Sequence, residues 1–86
     1  MNIGKQEILE NVCYTELVYE RINKKMKTVF SKKQIEEFIF QTLKETNEIF
    51  FKKKGKNFYV TNAENNIRIT INSNTFRVIT VDKIEV

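Results

Sequence analysis

The apolar residues of this chain change their spacing near Ile49, from the 3.6-residue period of a helix to the two-residue period of a strand. One change of period in 86 residues restricts the fold to helices first and strands afterwards. That order predicts an α+β domain, not the alternating arrangement that builds parallel sheets. Two or three N-terminal helices are expected to pack on one face of a four-stranded antiparallel meander sheet. Proline is absent, and no Gly/Ser-rich linker or internal repeat interrupts the pattern. Residues 1–86 therefore read as a single domain, with a helical part over 1–47 and a sheet part over 48–86. A chain of this size buries only about 60–65% of its unfolded surface, which leaves room for a protein partner or homodimer to add stability.

In the helical part, Ile8, Leu9 and Val12 share one face of a short amphipathic helix over 5–12. Thr15 is the expected N-cap of a second helix, with Leu17, Val18, Ile22 and Met26 on a broad apolar arc. Lys24, Lys25 and Lys27 suit the negative end of its dipole. Ser31 and Gln34 have capping-box spacing, and Val29 or Phe30 before them is placed to act as a hydrophobic staple. The helix over 32–46 that follows presents Ile35, Phe38, Ile39, Thr42, Leu43 and Thr46 on one side. Phe40 lies at the rim of that stripe, either as peripheral core or as an oligomer contact.

In the sheet part, Ile49-Phe50-Phe51 begins a first strand, and Lys52–Lys56 around Gly55 turns it into a second over 57–62. Ala63-Glu64-Asn65-Asn66 has turn chemistry, and Ile67-Arg68-Ile69-Thr70-Ile71 is the strongest strand pattern in the chain. A two-residue turn at Ser73-Asn74 would pair Ile71 with Phe76, Ile69 with Val78 and Ile67 with Thr80. Phe58 and Val60 join that inner face. The outer face then carries Tyr59, Thr61, Arg68, Thr70, Arg77, Ile79 and Val81, and a one-residue slip would reverse the assignment.

Charge is distributed as unevenly as periodicity. Residues 1–51 hold eight basic and eight acidic side chains, whereas residues 52–86 hold seven basic and three acidic ones, so the net charge of +4 belongs to the sheet part. A basic face attracts polyanions and raises their encounter rate. Lysines on a hairpin also serve solubility, because they keep sheet edges from pairing with other chains. Both readings fit the pattern.

Histidine is absent and Cys13 is the single cysteine, so a metal centre has almost no ligands to draw on and no cofactor is expected. Ser-His-Asp and Cys-His mechanisms are excluded for the same reason. Cys13 cannot close an internal disulfide and reads as a small buried hydrophobe on a helix, in keeping with a reducing, cytoplasmic setting. No apolar run approaches the roughly 20 residues that span a bilayer, and MNIGKQEILE lacks the layout of a secretory leader. No membrane association is expected.

The outer face offers chemistry for RNA or another polyanion. Its candidate contacts are Lys52, Lys53, Lys54, Lys56, Tyr59, Arg68, Thr70 and Arg77. Arginine presents a rigid fork to phosphate, and tyrosine presents a stacking surface to an unpaired base. Cleavage of RNA, if it occurred, would be metal-independent: Tyr59 or a lysine would take the proton of a 2′-hydroxyl while Arg68 and Arg77 stabilised charge on phosphorus. An ordinary solvent-facing sheet would also favour Thr, Tyr and Arg. The rival function is a protein-interaction module, an inhibitor or a homodimer without enzymatic activity. Its contacts would be Phe40, Phe51, Ile79 or Val81, of which the last two place apolar area on the outer face.

The run Cys13-Tyr14-Thr15-Glu16-Leu17-Val18-Tyr19-Glu20-Arg21-Ile22 resembles a bacterial family defined as a domain of unknown function, number 3781. Lys54-Gly55-Lys56-Asn57-Phe58-Tyr59, Ile69-Thr70-Ile71-Asn72-Ser73 and Val78-Ile79-Thr80 look like the same family, so the resemblance spans most of the chain. It implies a stand-alone bacterial protein and supplies no catalytic residues. In architecture alone, helices followed by a basic antiparallel meander look like the small ribonuclease toxins of toxin–antitoxin pairs.

Overall fold

Three helices precede a four-stranded antiparallel meander in the computed structural model, which describes residues 4–84. The helices are α1 (Gly4–Asn11), α2 (Val18–Met26) and α3 (Lys32–Glu45). A 3₁₀ turn over Glu48–Phe50 leads into β1 (Phe51–Lys54), β2 (Asn57–Asn62), β3 (Ile67–Asn72) and β4 (Val78–Lys83), which lie side by side in chain order.

The capping box of α3 forms as its spacing predicts. The Ser31 hydroxyl accepts from the Gln34 N–H at 3.1 Å, and the Gln34 side chain accepts from the Ser31 N–H at 2.8 Å. Of the two residues before the cap, Phe30 packs inward, its ring centroid 6.3 Å from that of Phe38, while Val29 faces solvent. Asn23 ties the α2–α3 connection: its side chain accepts from the Thr28 hydroxyl and the Phe30 N–H and donates to the Phe30 carbonyl. The Lys5 ammonium closes the far end of α3, donating to the Lys44 and Thr46 carbonyls at 2.9 and 2.7 Å. Those carbonyls have no partner within the helix, so the cation satisfies acceptors that would otherwise need water.

Thr15 does not cap α2. The helix begins at Val18, with Leu17 at the N-cap position and no side-chain cap. Backbone pairing accounts for the delay. The Cys13 N–H donates to the Phe76 carbonyl and the Val78 N–H donates to the Cys13 carbonyl, each at 2.9 Å. This short parallel bridge holds Cys13 extended, not helical, and the chain must turn before α2 can start. The first strand also begins late, at Phe51. The Asn47 side chain accepts from the Ile49 N–H at 3.0 Å and commits residues 48–50 to the 3₁₀ turn.

The β3–β4 register departs from the two-residue turn. Ser73–Phe76 form a four-residue loop in which the Asn72 side chain accepts from the N–H groups of Asn74 and Thr75. Ile71 therefore pairs with Val78, two positions beyond the expected Phe76, and an even shift leaves the facing of side chains unchanged. A bulge then intervenes between Thr70 and Ile71, so that Thr70 pairs with Thr80 and Ile69 with Val81. The extra residue reverses the facing from that point on. Val81, expected outside, is buried completely against the core.

That core joins Ile8, Ile22, Ile35, Ile39 and Leu43 of the helices to Val60, Ile69, Ile71, Val78 and Val81 of the sheet. Full burial of an aliphatic side chain stabilises by about 1.5–3 kcal/mol, so this one cluster outweighs any surface pair in the molecule. Both edges of the sheet are guarded. Strand β1 has four residues, three of them exposed lysines. Along β4, the Cys13 bridge covers one end and the Arg21 guanidinium donates to the Ile79 carbonyl at 3.2 Å.

Candidate nucleic-acid interface

Antiparallel pairing sets the outward side chains in rows across the sheet. Lys52, Tyr59, Thr70 and Thr80 are successive cross-strand partners from β1 to β4. Lys54, Asn57 and Asn72 form a second row. Arg77 extends it, because the Asn72 N–H donates to the Arg77 carbonyl at 2.9 Å and the next residue, Val78, points into the core. Thr61, Arg68 and Asp82 form the third row. Lys56 stands exposed in the β1–β2 turn, where Gly55 takes the left-handed conformation (φ 62°) that the turn requires. Lys53 is exposed but has the facing of its partner Phe58, on the core side of the sheet, and lies at the rim.

The outward surface thus carries Lys52, Lys54, Arg68 and Arg77 against one acidic group, Asp82. The Lys25 ammonium reaches Asp82 from α2 at 3.0 Å. Four basic groups face solvent without internal neutralisation, which leaves a surface of single sign. Strands lie about 4.8 Å apart, so the face spans roughly 14 Å from β1 to β4. Tyr59 is half-buried near the middle and accepts from the Asn57 amide at 3.4 Å. Thr70 is only 6% exposed and forms the floor of the face, with little hydroxyl available for contact.

Arg68 and Arg77 share the face but not a site. Arg77 lies opposite Asn72, four residues along β3 from Arg68, which corresponds to roughly 13 Å between their backbones.

Of the apolar interface candidates, two belong to the core. Val81 is buried through the bulge, and Phe51 is buried beneath the Lys5 ammonium, 5.9 Å from its ring centroid. Ile79 is half-buried at the bulge, and Phe40 is 41% exposed on α3.

A cluster of tyrosines and carboxylates, not anticipated from side-chain chemistry, clamps the segment before α2 to α3. The Tyr14 and Tyr19 rings stack with centroids 5.7 Å apart, and the Tyr19 hydroxyl donates to Glu36 at 2.6 Å. Lys32 pairs with Glu16 and lies 5.4 Å over the Tyr19 ring. Burial, followed by the Glu36 carboxylate, pushes the Tyr14 hydroxyl well above the usual tyrosine value. Burial and the hydrogen bond to Glu36 push Tyr19 up to about 12. Both hydroxyls hold their protons at neutral pH, which suits a clamp and not a nucleophile. The visible signal was two tyrosines five residues apart in the run 13–22.

Among the described residues no helix is long and apolar enough to cross a membrane. No group of three or more His, Cys, Asp or Glu side chains among them is placed to hold a metal ion. No curated protein and no solved structure matches the chain. A family model described as "Protein of unknown function (DUF3781)" matches residues 6–82, from α1 into β4, and the chain belongs to that family.

Proposed function

We propose that this protein contacts RNA through the outward face of its sheet, with the β1–β2 hairpin gripping the phosphate backbone. One observation carries the reading: Lys52, Lys54, Arg68 and Arg77 face the same way, and the single acid among them is already paired with Lys25. Such a surface concentrates a polyanion and orients it before any specific contact forms. Lys52 and Lys54 supply mobile point charges, while Arg68 and Arg77 supply forks for two separate phosphates. Tyr59, between Lys52 and Thr70, offers a ring to one unpaired base.

Titration of a fluorescent single-stranded RNA at low and moderate salt tests this reading. Micromolar or tighter binding is expected, with a log–log salt slope of about −0.7 for each phosphate neutralised. Lys52→Glu combined with Lys54→Glu should weaken binding and flatten the slope. Absence of binding at low salt removes the proposal.

A further inference from the structure

We propose that the groove between α2 and the edge strand β4 docks an acidic polypeptide segment that carries a large aliphatic side chain. This inference stands apart from the RNA reading and uses a different surface, although Arg77 borders both.

The open surface of α2 carries Leu17, Glu20, Arg21, Lys24 and Lys25 side by side. Leu17 and Arg21 also wall a hollow of about 240 Å³ that reaches Arg77, Val78 and Ile79 on β4. Leu17 is therefore common to both parts, and it is 73% exposed. Residues 17, 21 and 24 fall on one stripe of a helix, so an aliphatic side chain and two cations line the same track.

Leu17 leaves a large aliphatic side chain in solvent at the rim of this hollow. The exposed leucine provides an apolar anchor point. The surrounding cations provide for carboxylates.

Charge complementarity selects the occupant. Arg21, Lys24 and Arg77 border the apolar strip, Lys25 is engaged by Asp82, and Glu20 is the one acid lining it, so an acidic chain is favoured over a basic one. The apolar lining is aliphatic, from Leu17, Val18, Val78 and Ile79, and no aromatic ring lines either part. A nucleic acid would therefore find phosphate contacts but no stacking surface, whereas a leucine-bearing acidic segment finds both of the things it needs.

The test uses a labelled peptide of roughly ten residues, Asp and Glu flanking one leucine, titrated into the whole protein with backbone NMR and anisotropy as readouts. The expected result is saturable binding that shifts the amides of Leu17, Lys24 and Ile79. Leu17→Ser, or serine in place of the peptide's leucine, should weaken binding about tenfold. Lys24→Glu should weaken it as well. Because Leu17 is mostly exposed, Leu17→Ser removes little buried area and should leave thermal stability nearly unchanged, so lost binding cannot be blamed on unfolding. Equal affinity for the serine variants overturns the proposal. So does an RNA oligonucleotide that shifts these amides when the peptide does not. The RNA reading is judged separately, at Lys52 and Tyr59.

Discussion

The Asn62 side-chain amide donates to the Thr46 hydroxyl over 2.8 Å, linking β2 to the end of α3 inside the protein. The hydroxyl in turn donates to the Thr42 carbonyl at 2.6 Å, and the Asn62 carbonyl oxygen accepts from the Asn65 backbone and side chain. Asn62, Thr46 and Thr42 are all buried, so this relay is the polar seam between the helical layer and the sheet. Buried polar groups are costly only when left without partners.

Thr46→Val tests the seam with little change of shape. It strands the Asn62 amide in a buried site and removes a donor from the Thr42 carbonyl. The expected loss is about 1–3 kcal/mol. In urea unfolding the midpoint should fall while the slope stays constant, since the surface exposed on unfolding is the same. An unchanged midpoint would mean that water satisfies Asn62.

Asn62 also shows what was legible in the sequence and what was not. The strand pattern placed it at the end of β2, and the helical stripe placed Thr46 on the buried side of α3. Neither pattern specified that they would meet, because the contact spans 16 residues and depends on how the helix lies on the sheet. The same division holds elsewhere. Ser31 and Gln34 form their box as their spacing predicts, since three residues of backbone suffice to define it. Thr15 lost its cap to a bridge between Cys13 and Arg77, 64 positions apart. The outward facing of Tyr59, Arg68, Thr70 and Arg77 followed from alternation. Val81 did not, because one bulged residue flips everything after it and leaves no mark in a run of apolar and β-branched residues.

Lys27 ends α2 in the left-handed conformation, with φ 59° and ψ 47°, and its N–H donates to the Asn23 carbonyl. A residue with a Cβ pays a steric penalty there that glycine avoids. Glycine gains more entropy in the unfolded chain, which offsets part of the relief. Lys27→Gly is expected to stabilise the protein by about 0.5–1 kcal/mol net. Thermal unfolding should register the gain as a higher midpoint, and a lower midpoint would show that the lysine side chain contributes more than its strained backbone costs.

Tyr59 separates two ways in which the basic face can hold RNA. If a base stacks on the ring, Tyr59→Phe keeps affinity and Tyr59→Ala loses about 1–3 kcal/mol, with the salt slope unchanged in both. If only phosphates are held, neither variant matters, and removing Lys52 or Lys54 lowers the slope by about 0.7 each. Titrations of the four single variants at several salt concentrations distinguish these cases. A weaker Tyr59→Phe variant would point instead to the hydroxyl that accepts from Asn57.

The Tyr14–Tyr19 stack makes stability depend on alkaline pH. An acid whose folded value exceeds its unfolded value holds its proton more tightly in the folded state. Tyr19 rises from 10.0 to about 12 through burial and its hydrogen bond to Glu36. Its contribution is therefore complete below pH 10 and is lost as the pH climbs towards 12. Tyr14, held higher by burial, acts in the same direction. Tyr19→Phe removes one of the two linked protons along with the bond to Glu36. Its stability should lie below that of the unsubstituted protein near neutrality, and the gap should close between about pH 10 and about pH 12. Urea midpoints for both proteins across that window give the comparison. Parallel curves would assign the alkaline loss to other groups and leave the stacked pair as packing alone.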